Sequence, residues 1–420
     1  MERNAREQGD DYPGARQSPR RPFAIVAAMD TRLLALLCVG NLVVGSSAFV
    51  ITGIVGVIAA DLAVTPAAVG QAMTAYALAT AFGAPLLLLA TGHWLRKHAL
   101  VLALAMLLLG NVMCALAPSL AWLLLGRTVL GLGSMFTPLA AGVALASVAP
   151  AQRGKALSAV FLGFSLSYVT ALPLGAWVGM AYSWHAAVWV MAAASLVMLV
   201  LAAWRLPRQL AAPGASFAGM GGVLRQNAVL RVLGMTLAYF CAIFTMVSYI
   251  GPMLQSLVPM SASRLAVTLA LFGLSGVVGT LIGGAANDRF GPQRTLSTGL
   301  PVLTLSMALL PLTQGSWALM MVVMLVWGVS GFSLMSPQQS RLAALAPAQT
   351  PLLLSLNASM LYIGTALGAA VGGAALISLG STRLPWAGVP FALLACLLLW
   401  ASRAPHHPLP LAPITESSTP

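Results

Sequence analysis

The chain has 420 residues, of which 59% are hydrophobic and 7% charged, and 21 Lys or Arg against 8 Asp or Glu give a net charge of +13. A soluble protein of this size cannot cover so much apolar side chain, so the composition excludes a water-soluble globular fold and points to one that uses lipid as its solvent. The four cysteines (Cys38, Cys114, Cys241, Cys396) stand far apart with no metal-ligand spacing, and no acid, His and Cys constellation converges on one segment. No enzyme site and no metal or cofactor site is therefore expected.

In chain order, residues 1–32 mix Arg, Pro, Gly and acid and read as a disordered basic tail. Apolar stretches follow at 33–60, 66–91, 99–117, 120–148, 156–181 and 186–204. A polar, Arg-rich linker occupies 205–231, and six more stretches follow at 232–255, 265–286, 295–312, 316–337, 352–377 and 386–402, before a tail at 403–420. Each is close to the roughly 20 residues that a helix needs to cross about 30 Å of hydrocarbon. Strand-period alternation is absent, which excludes a β-barrel. The spacing thus predicts an all-α integral membrane protein with twelve transmembrane helices in two six-helix bundles, 33–204 and 232–402.

With residue 1 in the cytoplasm, 18 of the 21 basic residues fall on the cytoplasmic side, as the positive-inside rule requires. Both termini are then cytoplasmic, and the positive charge is a belt facing anionic lipid rather than a nucleic-acid surface. The halves also share a pattern: Ala171-Leu172 with Gly175 and Gly179 recurs as Ala366-Leu367 with Gly368 and Gly372. Repeats of six spans joined by a basic linker are the organisation of rocker-type secondary transporters.

Several motifs then line up in order. After span eight stands Gly284-Ala-Ala-Asn-Asp288-Arg289-Phe-Gly291-Pro-Gln-Arg294; span four carries Arg127-Thr-Val-Leu-Gly131-Leu-Gly133; span five carries Ala171-Leu-Pro173-Leu-Gly175-Ala-Trp-Val-Gly179. Ala75-Tyr76-Ala77, Tyr249-Ile-Gly-Pro252 and the run from Asn357 to Gly364 and Gly368 follow on spans two, seven and eleven. On these residues the chain resembles the major facilitator superfamily, in particular its drug and metabolite efflux branch of sugar-efflux, purine-efflux and chloramphenicol-resistance-like exporters.

The resemblance implies a monomeric transporter of the bacterial inner membrane, with a small-molecule substrate and the bilayer as its partners. Its activity would be alternating-access efflux of a small neutral or weakly anionic molecule, with proton antiport. An uncoupled facilitator or importer of the same fold is the alternative, and a non-transporting membrane sensor comes behind it. Asp288, Arg289 and Arg294 would form an inner-gate latch, with Arg96 and Lys97 as the remnant of a first copy in which Gly92 replaces the acid and Leu95 the glycine. Gly131, Gly133, Pro173, Gly175, Gly179, Gly364 and Gly368 would serve close helix packing, or form the smooth face on which the halves slide.

In this fold spans one, four, seven and ten bound the cavity. Asn41, Tyr76, Arg127, Phe244, Tyr249, Trp327, Asn357 and Tyr362, with Gln71 and Tyr168, are the candidates to line it. That lining is aromatic and acid-free, which disfavours cationic substrates. Arg127 is the basic residue within a span, so it either faces a wet cavity or snorkels to the headgroups. None of the acids lies inside a span, and Ala48 stands where many relatives carry a carboxylate. Asp61 at the end of span one is the coupling candidate, with Asp30 at its other end.

Overall fold

The computed structural model describes residues 31–149, 152–207, 210, 222, 225–346 and 349–402; the expected tails and much of the linker lie outside them. Among the described residues twelve helices are long and apolar enough to cross a membrane. They are α1 (Thr31–Asp61), α2 (Pro66–Ala90), α3 (Arg96–Ala115), α4 (Leu120–Ala146), α5 (Gly154–Ala181) and α6 (Trp184–Arg205) in the first half. The second half holds α7 (Asn227–Val247), α8 (Ala262–Phe290), α9 (Pro292–Thr313), α10 (Trp317–Leu345), α11 (Leu352–Leu379) and α12 (Leu384–Ala401). Most ends lie within four residues of the hydropathy reading, but α7 begins five residues earlier and continues as the extension Ile250–Leu257, and α10 runs eight residues further, to Leu345. Alternating direction puts Thr31 and Ala401 on one face, called here the terminal face; the opposite one is the far face.

Five of the six described helix starts on the far face share one device, α12 being the exception. Thr65, Ser119, Ser183, Ser261 and Ser316 accept a first-turn N–H of α2, α4, α6, α8 and α10 through their hydroxyl oxygens, which satisfies a donor that the helix itself cannot use. At the terminal face the α8–α9 turn depends on Gly291, whose φ of 80° is a region that side chains avoid.

Small residues set the packing within each bundle. A β-carbon at Gly163 or Gly175 of α5 would run into the Cys38 or Val50 carbonyl of α1, and at Gly179 into the Ile54 side chain. On the other side, β-carbons at Gly364, Gly368 and Gly372 of α11 would each lie 2.5 Å from a carbonyl of α7, those of Leu237, Cys241 and Thr245. The motif glycines therefore press α5 onto α1 and α11 onto α7 inside their own bundles. They are not the face between the halves, and the sliding reading is corrected accordingly.

A different set serves the junction between bundles. Gly251 of the α7 extension meets the Gly53 carbonyl of α1, Gly70 of α2 meets the Tyr249 ring, and Gly273 of α8 meets the Tyr168 carbonyl of α5. All of these lie between mid-span and the far face. Gly175→Ala is expected to lower the thermal midpoint of the purified protein by the equivalent of about 1–3 kcal/mol, the usual cost of overpacking. Gly284→Ala, where an added β-carbon meets nothing within 4 Å, should leave it unchanged or raise it.

A candidate substrate site at four broken helices

Each of the four spans expected to bound the cavity is interrupted. In α1 helix stops at Phe49, a 3-10 turn runs Thr52–Ile54, and helix resumes over Val55–Asp61. In α4 it breaks between Gly133 and Phe136, in α7 between Val247 and Ile250, and in α10 between Ser333 and Met335. Three of the breaks have a common cause. Pro138, Pro252 and Pro337 are each the third residue of the resumed helix. Each removes the N–H that would have bonded the carbonyl four residues back, of Ser134, Ser248 and Ser333, while costing the new helix nothing in its first turn. The recurrent Ser-x-x-x-Pro was present in the sequence and is the signal that hydropathy reading passed over.

The α1 break has no proline and is held by Arg127. The guanidinium is 1% exposed. It donates from Nη1 to the Ser47 carbonyl at 2.8 Å, from Nη2 to the Ala48 carbonyl at 2.7 Å and from Nε to the Ala72 carbonyl at 3.4 Å. The Tyr76 ring lies beneath it at 4.9 Å. Ser47 and Ala48 belong to the last turn of the first α1 segment, where carbonyls lack helical partners and the helix dipole is negative. A buried cation thus finds compensation without a carboxylate. Arg127 neither snorkels nor faces an open cavity in this conformation, and Ala48 supplies with its backbone what an acid there would supply with its side chain.

A second layer fixes this arrangement. Asn111 of α3 donates to the hydroxyls of Ser47 and Ser195 at 2.9 and 3.0 Å. The Tyr76 hydroxyl bonds that of Ser134 at 2.9 Å, and a π-turn over Ala79–Gly83 deforms α2 beside it. Gly131 lets α4 approach the Tyr76 carbonyl, and Gly133 brings it onto Ala103 of α3.

Aromatic rings cross the middle of the molecule. Phe49 of α1 lies 4.3 Å from Tyr168 of α5 and 6.5 Å from Phe244 of α7. Tyr168 meets Phe332 of α10 edge-on at 4.9 Å, and Phe272 of α8 stacks on Trp327 at 4.9 Å. The layer joins both bundles, and the buried Trp327 indole N–H has no hydrogen-bond partner among the described residues. Phe244 and Trp327 were legible candidates; Phe49 and Phe332 were not, because a lone Phe in an apolar span carries no signal.

Other candidates serve elsewhere. Asn41 donates to the Val160 carbonyl and accepts from Thr137; Asn357 accepts from Thr236, which in turn accepts from Gln338. These amides tie α1 to α4 and α5, and α7 to α10 and α11. Tyr362 is partly buried on α11 against the core. Tyr249 closes the far side: its hydroxyl donates to the Ala369 carbonyl of α11 at 2.8 Å and lies 3.5 Å from the Gln71 amide of α2. At the terminal face Asp288, Arg289 and Arg294 are exposed, and Asp288 makes no ion pair among the described residues. Lys97 donates to the Leu206 carbonyl at the end of α6, while Arg96 is buried. The motif residues at that face are not drawn together.

Asp61 sits at the far end of α1. It accepts from the Trp184 indole at 2.8 Å and lies 3.6 Å from His185, whose other ring nitrogen is 2.8 Å from the Ala115 carbonyl. All of these partners belong to the first bundle.

Comparison with known proteins places this architecture. The model of the Major Facilitator Superfamily matches residues 37–351 and 260–420. The chain belongs to the Major Facilitator Superfamily. It is 31% identical over 371 residues to the inner membrane transport protein YdhP of Escherichia coli (strain K12), covering 88% of this chain and 95% of that one. It is 27% identical over 378 residues to the uncharacterized MFS-type transporter YbcL of Bacillus subtilis (strain 168), covering 89% and 97%. Among solved structures it resembles a bacterial homologue of the human lysosomal transporter Spinster in an inward-facing, occupied conformation. There the TM-score is 0.72 at 17% identity, with 88% of this chain and 96% of that one covered. The D-xylose-proton symporter matches with a TM-score of 0.70 at 16% identity over 89% and 98%.

Within this superfamily fold the Arg127 contacts carry a direct expectation. Arg127→Met leaves the Ser47 and Ala48 carbonyls without donors and should cost about 1–3 kcal/mol, read as a fall in the thermal midpoint. An unchanged midpoint would show that the guanidinium does not hold the α1 break.

Proposed function

We propose that this membrane transporter exports a small neutral or weakly anionic solute from a bacterial cell by alternating access, acting as a monomer with its terminal face in the cytoplasm. The observation that carries the reading is the mid-span aromatic layer shared by both bundles, with a buried guanidinium behind it and no carboxylate near among the described residues. Flat rings and an unpartnered indole N–H suit a solute with apolar faces and a hydrogen-bond acceptor. A cationic solute would have the buried charge of Arg127 behind the rings and no acid beside it among the described residues. The concentration of basic residues on the terminal face supports the cytoplasmic placement. Cross-bundle contacts clustered toward the far face, with Asp288 making no ion pair among the described residues at the other, then describe an inward-facing state.

Proton antiport is the coupling that the efflux branch implies, and Asp61 is the carboxylate at hand. Its contacts within one bundle favour a second reading, an uncoupled facilitator, because a carrier group should change surroundings as the bundles rock. Purified protein in liposomes with an entrapped pH-sensitive dye separates the two, using nucleosides, sugars and phenicol-like drugs as solutes. Solute-triggered proton movement in wild type that Asp61→Asn removes supports antiport. Solute flux with no proton movement supports the facilitator, and no flux of any solute in either direction would overturn export of this substrate class.

A further inference from the structure

The described spans carry no carboxylate or imidazole deep in the membrane, yet the far face carries both in contact. His185 is the second residue of α6, and its two ring nitrogens face two acceptors. Nδ1 lies 2.8 Å from the Ala115 carbonyl at the last residue of α3, and Nε2 lies 3.6 Å from Asp61 Oδ2. A carbonyl only accepts, so Nδ1 must carry a proton. The neutral ring would then turn the Nε2 lone pair toward a carboxylate. Both contacts are favourable only when the ring holds two protons. The negative end of the α3 dipole favours that charge as well. Trp184 stacks on the imidazole at 3.7 Å and donates its indole N–H to the same carboxylate oxygen.

The remaining titratable groups near this corner do not replace the pair. Cys114 of α3 is buried and turned toward the Leu123 carbonyl of α4. Tyr182, before α6, is exposed and meets Trp177 edge-on. On the other bundle Arg264 stacks over Trp317, and Arg383 makes no ion pair with Asp61. The pair is open to water, with side-chain exposures of 38% for His185 and 54% for Asp61, so protons reach it from the far side.

What the pair holds gives it a consequence. Asp61 ends the short helix Val55–Asp61, a rod of seven residues detached from the rest of α1 by the break. The 3-10 turn that leads into that rod makes a far-side contact between bundles, Gly53 against Gly251, and within the rod Gly56 faces Pro252. We propose that Asp61 and His185 form a proton-binding site on the far face. Its protonation anchors the Val55–Asp61 rod against the first bundle and favours the closed far gate. The site takes a proton and nothing larger, and it biases the gate without carrying a proton across.

The test reads the gate without substrate, so it can fail while export stands, or hold while export fails. A β-carbon at Gly56 would sit 3.7 Å from Pro252, ordinary contact, so Gly56→Cys in a background without the four native cysteines is tolerated. Its labelling by a membrane-impermeant maleimide is followed between about pH 5 and 8, where imidazoles change charge, and normalised to the unfolded protein at each pH. Labelling should slow by about two- to fivefold from pH 8 to pH 5, the scale of an exposed ion pair. His185→Gln should remove that step, and Trp184→Phe should keep it, because the proton site survives. A step that persists in His185→Gln, or labelling that does not slow on acidification in the parent protein, would overturn the proposal.

Discussion

The structure turns on a cation buried with no anion beside it among the described residues. A guanidinium in the middle of a bundle is tolerated only if polar groups surround it, and here those groups are backbone carbonyls released by a helix that stops short. Arg127 and the α1 break are therefore one feature seen from two sides. The guanidinium would be intolerable without the freed carbonyls, and the carbonyls would be left without donors inside the membrane if the guanidinium were absent. Asn111, Tyr76 and Ser134 then hold the two in register, linking α1, α2, α3, α4 and α6 through one set of hydrogen bonds.

The second bundle solves the same problem by other means. Its breaks in α7 and α10 each place a proline three residues into the resumed helix, and its amide network of Asn357, Thr236 and Gln338 stands where Asn41, Thr137 and Val160 stand in the first. Between the bundles there is little polar chemistry. Rings meet rings at mid-span, and glycine meets backbone toward the far face. An interface of that kind separates at little electrostatic cost. Most of the polar chemistry is kept inside the bundles, with Gln71, Thr74 and Tyr249 supplying the few polar contacts across them.

The twelve spans, the two halves and the family were legible in the sequence because each rests on a long-range pattern: hydropathy, basic residues between spans, and motifs in order. The roles of single residues were less so. Arg127 stood out as costly, but its partners are main-chain atoms, and no side chain advertises a free carbonyl. The glycines of α5 and α11 were visible as a helical stripe, yet spacing alone does not say which neighbour the stripe faces. Asn41 and Asn357 looked like cavity groups and are helix ties, since an amide in lipid bonds to whatever acceptor or donor is nearest. The Ser-x-x-x-Pro recurrence was readable and carried the breaks of α4, α7 and α10. The break of α1 was not readable, because it is made by a contact from three helices away.

That difference divides the hinges into two kinds. In α4, α7 and α10 the interruption is covalent: proline cannot restore the missing bond under any condition. In α1 it is non-covalent, and the carbonyls of Ser47 and Ala48 would accept ordinary helical bonds if Arg127 let go. Of the four central helices, α1 is thus the one that can heal. A healed α1 would straighten its far-side rod and withdraw Gly53 from Gly251, so the first bundle holds a reversible joint where its counterpart holds a fixed one, and the two halves of a near-symmetric fold enter the transport cycle mechanically unequal.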